Sequence, residues 1–307
     1  MKKLVAILSS LIIFSGFAQE SNVSLIVLGT LQDGGSPHIG CSKSCCTLLF
    51  ENPDPTRKVV SLGILDSTNQ KTYLFEATPD FSAQLQQLQQ HLEGNLNTPN
   101  GIFLTHAHIG HYTGLMYLGR EALGAKNVPV YAMPKMKHFL ENNGPWSQLV
   151  SLNNMNLHPL AANTKIQLTN ALTVEPFLVP HRDEFSETIG YKVYGPNKTV
   201  LFIPDIDKWA KWESSIVEEI KKVDYAFIDA TFYSGEEINN RAISEIPHPF
   251  VIESMELFKE LSKVEKSKIY FTHFNHTNPL LNKQSKAYQE VLMEGYKLAT
   301  YGLRIKL

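Results

Sequence analysis

Apolar and polar residues along the chain form blocks that predict strands mixed with helices. Continuous apolar runs predict buried strands, and spaced apolar residues, as at Phe81, Leu85 and Leu88, predict amphipathic helices. The predicted strands are 23–30, 59–65, 72–77, 101–105, 128–132, 172–179, 190–194, 200–203, 225–229 and 269–272. The predicted helices are 79–92, 114–123, 135–141, 212–223 and 249–261.

No repeat, linker or low-complexity tract interrupts this alternation. We therefore predict one α/β domain over residues 20–307. Of the 307 residues, 43% are hydrophobic and 19% are charged, which suffices for a sizeable core. The formal net charge of −2 argues against the basic surface of a nucleic-acid-binding protein, so we expect a small-molecule substrate and no nucleic acid.

Residues 1–19 have the pattern of a secretory signal peptide. Two lysines follow Met1, a short apolar run reaches Phe17, and cleavage is expected near Ala18 or Gln19. The run is too short to favour a membrane-spanning helix. We expect an exported protein, periplasmic or secreted, with no membrane contact after cleavage. A membrane-tethered N-terminus is the alternative.

Three histidines follow one predicted strand within a single turn, at His106, His108 and His111. Imidazole is a good ligand for zinc and similar metals, and three neighbouring imidazoles converge easily. Other predicted strands also end in polar residues, at His181, Asp205, Asp229 and His273. A metal centre is the economical explanation of these strand ends.

The order of these residues resembles the metallo-β-lactamase-fold superfamily over nearly the whole chain after residue 20. The resemblance implies an αββα sandwich in a single domain, with metal bound at one edge between the two sheets. It implies a first metal held by His106, His108 and His181. It also implies that Asp205 bridges toward a second metal, with His111 and His273 on that side.

One position departs from the family pattern. The family has an aspartate before the third histidine of the turn, where this chain has Gly110. Three alternatives follow: a weak second site, another acid such as Asp80 in place of the aspartate, or one active-site metal. We therefore expect one or two active-site ions.

All three cysteines lie within six residues, as Cys41, Cys45 and Cys46. A disulfide is the first alternative in an exported protein, but a bridge between adjacent cysteines is strained. Three thiolates and a histidine form a closed tetrahedral zinc site. We predict a structural zinc with His276 as fourth ligand, with His38 as the local alternative. An oxidised or free cluster remains the other reading.

The cysteines narrow the resemblance to one branch of the superfamily. That branch holds the pyrroloquinoline-quinone biosynthesis B protein and the phosphoribosyl cyclic phosphodiesterase of phosphonate metabolism. Its members carry a cysteine-rich loop after the first strand, whose zinc is completed by a late histidine. Segments 77–80, 228–232 and 277–279 are especially similar to the quinone-biosynthesis protein. The spacing of the cysteines differs from the usual one of this branch, because Lys43 stands where the middle cysteine would be and Cys45 is extra.

Two further residues are candidates for catalysis. By resemblance to the tRNA 3′-end nucleases and related phosphodiesterases of this fold, His248 is a candidate general acid. The alternative is a loop histidine held between two prolines. Asp229 is a candidate carboxylate that orients a histidine, and its alternative is a helix or turn cap.

These observations predict a zinc-dependent hydrolase whose metal-bound hydroxide attacks an ester, lactone, amide or phosphodiester. The first alternative is an iron-dependent oxidative enzyme like the quinone-biosynthesis relative, because three imidazoles and a carboxylate also suit iron. The second alternative is a non-catalytic metal- or ligand-binding module, which Gly110 favours. The sequence leaves the substrate and the oligomeric state open.

Overall fold

The computed structural model describes residues 22–92, 98–237 and 245–307. The predicted signal peptide, residues 1–19, lies outside the described residues. The strands are β1 (Val23–Gly29), β2 (Ser61–Asp66), β3 (Lys71–Phe75), β4 (Gly101–Phe103), β5 (Val128–Ala132), β6 (Met155–Pro159), β7 (Ile166–Thr169), β8 (Leu172–Leu178), β9 (Ile189–Tyr194), β10 (Thr199–Ile203), β11 (Tyr225–Asp229), β12 (Ile269–Thr272), β13 (Lys297–Leu298) and β14 (Arg304–Lys306). The α-helices are α1 (Ser44–Glu51), α2 (Phe81–Gln89), α3 (Ile109–Tyr112), α4 (Pro134–Asn142), α5 (Trp146–Ser151), α6 (Ile216–Lys221), α7 (Val251–Leu257), α8 (Lys263–Lys266) and α9 (Lys286–Met293).

The strands form two mixed sheets of seven strands each. The first has the order β14-β1-β2-β3-β4-β5-β6, and the second has the order β13-β12-β11-β10-β9-β8-β7. The last strand, β14, returns to pair with β1 in antiparallel register. The C-terminal segment therefore closes the outer edge of the first sheet.

Apolar side chains pack the two sheets face to face. Phe75 of the first sheet meets Tyr191 and Phe202 of the second, with ring centroids 5.2 and 6.3 Å apart. Two further clusters pack α2, α4 and α5 on the outside of the first sheet, and α6, α7 and α9 on the outside of the second. These layers confirm the predicted αββα sandwich in a single domain.

The parallel strands place their carboxyl ends at one edge of the sandwich. β10, β11 and β12 run parallel, so Asp205, Asp229 and His273 emerge side by side. In the first sheet β3 and β4 are parallel, and His106 follows β4 on a short buried segment. Ligand-bearing loops of α/β proteins lie at such edges.

The predicted helix 114–123 is wrong. Residues 113–118 form a 3₁₀ helix that follows the short α3. Gly114 lets this segment lie against the loop after β3, because a Cβ at position 114 would lie 2.1 Å from the carbonyl oxygen of Thr78. The segment is pressed onto the loop after β3, and this close backbone approach positions the histidine turn.

Among the described residues, no helix has both the length and the apolar character needed to cross a lipid bilayer.

Candidate metal centre

Four side chains converge at the edge where the two sheets meet. His106, His108, His181 and Asp205 each offer a ligand atom, and these atoms lie within 4.8 Å of one another. Asp205 Oδ2 is 3.3 Å from His106 Nε2, 3.2 Å from His181 Nε2 and 3.9 Å from His108 Nδ1. Ligands of a tetrahedral zinc lie about 3.3 Å apart, given bonds of about 2.0–2.1 Å. The group therefore has the size of a zinc site.

Hydrogen-bonding groups hold the opposite nitrogen of each of these imidazoles. His181 Nδ1 lies 3.3 Å from Asp207 Oδ1, and His108 Nε2 lies 3.2 Å from Glu184 Oε2. His106 Nδ1 lies 2.9 Å from the hydroxyl of Thr105. Such partners fix the tautomer and ring orientation of metal-binding histidines. The inward nitrogens face one another, with His106 Nε2 2.9 Å from His108 Nδ1.

A second group adjoins the first and consists of Asp33, His111 and His273, whose ligand atoms lie within 4.8 Å of one another. Asp33 Oδ1 lies 3.0 Å from His111 Nε2 and 3.6 Å from His273 Nε2. Asp205 Oδ2 is 3.9 Å from His111 Nε2, so it reaches this group too. The opposite nitrogen of His273, Nδ1, lies 2.8 Å from the hydroxyl of Thr231. Two ion-sized groups therefore lie side by side, with Asp205 of the first close to His111 of the second.

Several buried atoms in these groups have no hydrogen-bond partner. They include Asp33 Oδ1 and the Nε2 atoms of His111, His181 and His273. An unpaired buried polar atom costs about 1–3 kcal/mol. Divalent cations satisfy imidazole nitrogens and carboxylate oxygens together, so the donor set fits metal ions of the zinc type.

The electrostatics of the second group favour ionised side chains. Burial raises the pKa of Asp33, but the charges of His111 and His273 outweigh burial and bring this pKa well below its usual value. Burial lowers the pKa of His111, but Glu76 and Asp33 outweigh burial and raise it well above the usual value. A bound cation would replace the protons on these histidines in balancing the negative charge of the carboxylates.

His248 lies beside Asp205. Its Nδ1 is 2.8 Å from Asp229 Oδ2 and 3.1 Å from Asp205 Oδ1. Burial lowers the pKa of His248, but these two carboxylates outweigh burial and raise the pKa to about 10. The candidate general acid therefore sits beside the metal groups rather than in a remote loop.

Asp229 is fully buried and contacts His248 directly and His273 through the hydroxyl of Thr231. Besides His248, its carboxylate accepts hydrogen bonds from the backbone N–H and the hydroxyl of Thr231, at 2.8 and 2.7 Å. Thr231 in turn contacts His273. The structure thus places Asp229 where a carboxylate that orients histidines is expected.

Two carboxylates at this centre were missed by the sequence reasoning. Glu76 follows β3, is fully buried with φ +77°, and accepts a 2.5 Å hydrogen bond from the Thr105 hydroxyl. It also lies 3.3 Å from His111 Nδ1. Asp33 lies in the glycine-rich loop after β1. Glu76 falls inside the predicted strand 72–77, and Asp33 stands three residues beyond the predicted strand 23–30, so the strand-end signal identified neither.

Asp80, one candidate for the missing carboxylate, lies outside these groups. Its Oδ2 accepts a hydrogen bond of 2.8 Å from the backbone N–H of Val59. Its Oδ1 is 3.3 Å from the Lys58 ammonium. Asp80 therefore holds the loop before β2 against the start of α2, and the alternative in which Asp80 replaces the family's aspartate is wrong.

The three cysteines and His276 form a separate group, again within 4.8 Å of one another. The Sγ atoms of Cys41 and Cys46 each lie 3.9 Å from that of Cys45. Sulfur ligands of a tetrahedral zinc lie about 3.8 Å apart, given Zn–S bonds of about 2.3 Å. His276 Nδ1 lies 2.9 Å from Asn275 Oδ1, which leaves Nε2 free for a metal.

His38, the local alternative for the fourth ligand, has another place in this structure. Its ring stacks on that of His276 with centroids 4.3 Å apart. Its backbone N–H donates a hydrogen bond of 3.3 Å to Cys46 Sγ. Both contacts support the cysteine group from outside, and His276 is the histidine that completes it geometrically.

A short backbone bridge joins the loop that carries Asp33 to the segment that carries His273. The backbone N–H of Gln32 donates to the carbonyl of Phe274 at 2.9 Å, and the N–H of Phe274 donates to Thr30 at 2.8 Å. Asp33 follows Gln32 in the chain, and His273 precedes Phe274. The bridge therefore sets the separation between Asp33 and His273.

The comparisons with known proteins agree on one family. Residues 71–274 match the family described as beta-lactamase superfamily domain. Coenzyme PQQ synthesis protein B of Xanthomonas campestris pv. campestris is 23% identical over 92% of this chain and 99% of its own length. The protein of that name from Klebsiella pneumoniae is 25% identical over 92% of this chain and 97% of its own.

Solved structures show the same fold. Zn(2+)-bound PqqB from Methylobacterium extorquens has a TM-score of 0.75 at 21% identity, covering 92% of this chain and 100% of that one. A diphosphatase from the PhnP family has a TM-score of 0.62 at 24% identity, covering 93% and 97%. The resemblance to this branch of the superfamily, predicted from the cysteine-rich loop and the histidine turn, is confirmed.

Proposed function

Because the chain belongs to the beta-lactamase superfamily, we propose that it is a zinc-dependent hydrolase of small molecules with an ester, lactone, amide or phosphodiester bond. One observation carries the proposal: two ion-sized donor groups lie side by side, with Asp205 of the first 3.9 Å from His111 of the second, and His248 contacts Asp205 at 3.1 Å. When bound there, zinc supplies Lewis acidity and lowers the pKa of water.

The residues of the chain divide the remaining work. His106, His108 and His181 hold one side of the centre, and their partners prevent these rings from turning. Two carboxylates occupy His248 Nδ1, so Nε2 is the nitrogen that delivers a proton to the leaving group. Asp229 keeps the His248 ring in this orientation through the hydrogen bond of 2.8 Å.

The rim of the centre offers apolar surface for a substrate. Ile109 follows His108 and is 61% exposed, and Phe185 follows Glu184 and is 60% exposed. His108 and Glu184 contact each other at 3.2 Å, so these two apolar side chains lie on neighbouring segments beside the metal centre. Such a mixture of apolar wall and convergent polar groups is typical of small-molecule sites.

The proposal predicts hydrolysis that depends on metal. The full chain, loaded with zinc, is expected to turn over at least one of four chromogenic probes: a p-nitrophenyl ester, a lactone, a β-lactam or bis(p-nitrophenyl) phosphate. Chelation should remove this activity and added zinc should restore it, because the metal supplies the electrophile. Turnover that survives complete chelation, or none on any probe, rejects the proposal.

The His248→Ala variant is expected to lower kcat by about 10²–10⁴-fold, because general acid catalysis contributes that much. The loss should be greatest for substrates with poor leaving groups, which need the proton most. Zinc content should stay at the wild-type value. An equal loss of kcat for good and poor leaving groups would show that His248 only supports the structure.

An iron-dependent oxidative enzyme is the second candidate. Three imidazoles and a carboxylate suit iron as well as zinc. The curated relatives named for coenzyme PQQ synthesis also span 92% of the chain. Iron in the active-site groups of the purified protein, with O₂ consumption and no hydrolysis, would favour this candidate.

Gly110 no longer favours a non-catalytic module, because the carboxylate of Asp33 lies against Gly110.

Export remains part of the proposal. The basic start, the apolar run and the small residues near Ala18 support a secretory signal. N-terminal sequencing of the protein from a periplasmic or culture fraction tests it, since cleavage should expose a residue near Gln19 or Glu20.

A further inference from the structure

Gly110 and Asp33 compete for the same space. A Cβ placed on Gly110 would lie 2.3 Å from Asp33 Oδ1 and 2.6 Å from Asp33 Cα. Real Cβ atoms are not found at such distances, so a side chain at position 110 and the present position of Asp33 exclude each other. The glycine is therefore required by the carboxylate that lies against it.

The carboxylate of Asp33 points into the second donor group. Its Oδ1 is 3.0 Å from His111 Nε2 and 3.6 Å from His273 Nε2, and both rings are fully buried. None of these three atoms has a hydrogen-bond partner within the described residues. A carboxylate oxygen and two imidazole nitrogens, oriented toward one point and otherwise unpaired, form an incomplete coordination shell.

Asp205 borders this group as well as belonging to the first one. Its Oδ2 lies 3.9 Å from His111 Nε2 and 3.3 Å from His106 Nε2, so one carboxylate faces both groups. The second group itself has two imidazoles and one carboxylate, and Asp205 lies beside it. That donor set is sufficient for zinc or a similar divalent ion.

We propose that Asp33 is a ligand of a second active-site metal ion and replaces the carboxylate absent at Gly110. The inference rests on the proposed function in one respect, because it completes the same metal centre. The protein then binds about three zinc ions per chain when fully loaded: one at the cysteines and two at the edge of the sandwich.

Substitution of Asp33 tests the inference through metal content rather than activity. The Asp33→Asn variant keeps the shape of the side chain but loses the anionic ligand. Zinc per chain, measured by elemental analysis after loading and desalting, should fall from about three to about two. Competition with a chromophoric chelator should show the weakest site weakened by at least about 100-fold.

The matched control is Asp80→Asn. Asp80 is also a carboxylate in a loop of the first sheet, but it contacts Lys58 and the backbone of Val59. This variant should keep about three zinc ions. Two retained zinc ions in Asp33→Asn also show that the variant is folded, because the other two sites need the native arrangement.

Two results would overturn the inference. One is an Asp33→Asn protein with wild-type zinc content and wild-type affinity at its weakest site. The other is a wild-type protein that holds only about two zinc ions under saturating conditions. In either case the proposed function survives if chelation still abolishes hydrolysis, and it fails separately if hydrolysis does not depend on metal.

Discussion

Alanine in place of His106 is expected to remove the first active-site zinc and to lower hydrolytic activity by at least about 10³-fold. His106 Nε2 is 3.3 Å from Asp205 Oδ2 and 2.9 Å from His108 Nδ1, so it lies at the centre of the first donor group. Because the side chain is buried, no other described side chain or bulk water can replace it easily. Elemental analysis and assays with the chromogenic probe that the wild type hydrolyses measure both effects.

The control for this variant is His91→Ala. His91 is exposed and belongs to none of the metal-sized groups among the described residues. It should keep full metal content and activity. Wild-type activity in a His106→Ala protein that lacks the corresponding zinc would contradict the assignment of the first donor group.

Removal of His276 or Cys46 is expected to have its largest effect on stability. The His276→Ala and Cys46→Ser variants should each lose one zinc ion and melt about 5–10 °C lower, since structural zinc contributes directly to folding. Cys46 is fully buried at the start of α1, so its loss also leaves a poorly packed position. Elemental analysis and thermal unfolding with and without chelator measure the effect.

His38→Ala is the matched control for this second prediction. His38 stacks on His276 but offers no ligand to the cysteine group. Its removal should cost stacking energy only, on the order of 1 kcal/mol, and leave the zinc in place. Loss of zinc in His38→Ala with retention in His276→Ala would instead assign the fourth ligand to His38. Chelator-insensitive melting of the wild type would argue for oxidised cysteines.

Local sequence signals were sufficient for much of the fold. The buried parallel strands β11 and β12 were predicted with the bounds that they have in the structure, because such strands are continuous apolar runs that end at Asp229 and before His273. The helix predicted at 212–223 begins only at Ile216, after a 3₁₀ turn at Trp209–Lys211. Ser215 decides that boundary, because its side chain caps the helix by accepting a hydrogen bond from the backbone N–H of Glu218.

The donor groups were predictable to the extent that each residue directly follows a strand. His106, Asp205 and His273 share that signal, and the fold brings them together. Asp33 could not be assigned in this way, because its role depends on the absence of a side chain at Gly110. Only the three-dimensional contact between the loop after β1 and the histidine turn shows that one residue makes room for the other.

The backbone bridge between Gln32 and Phe274 ties the loop after β1 to the segment after β12. The cysteines follow Asp33 in that loop, and His276 follows His273 in that segment. An ion held by the cysteines and His276 is therefore expected to restrain both segments, so that Asp33 and His273 lose less conformational entropy when they bind an ion of their own.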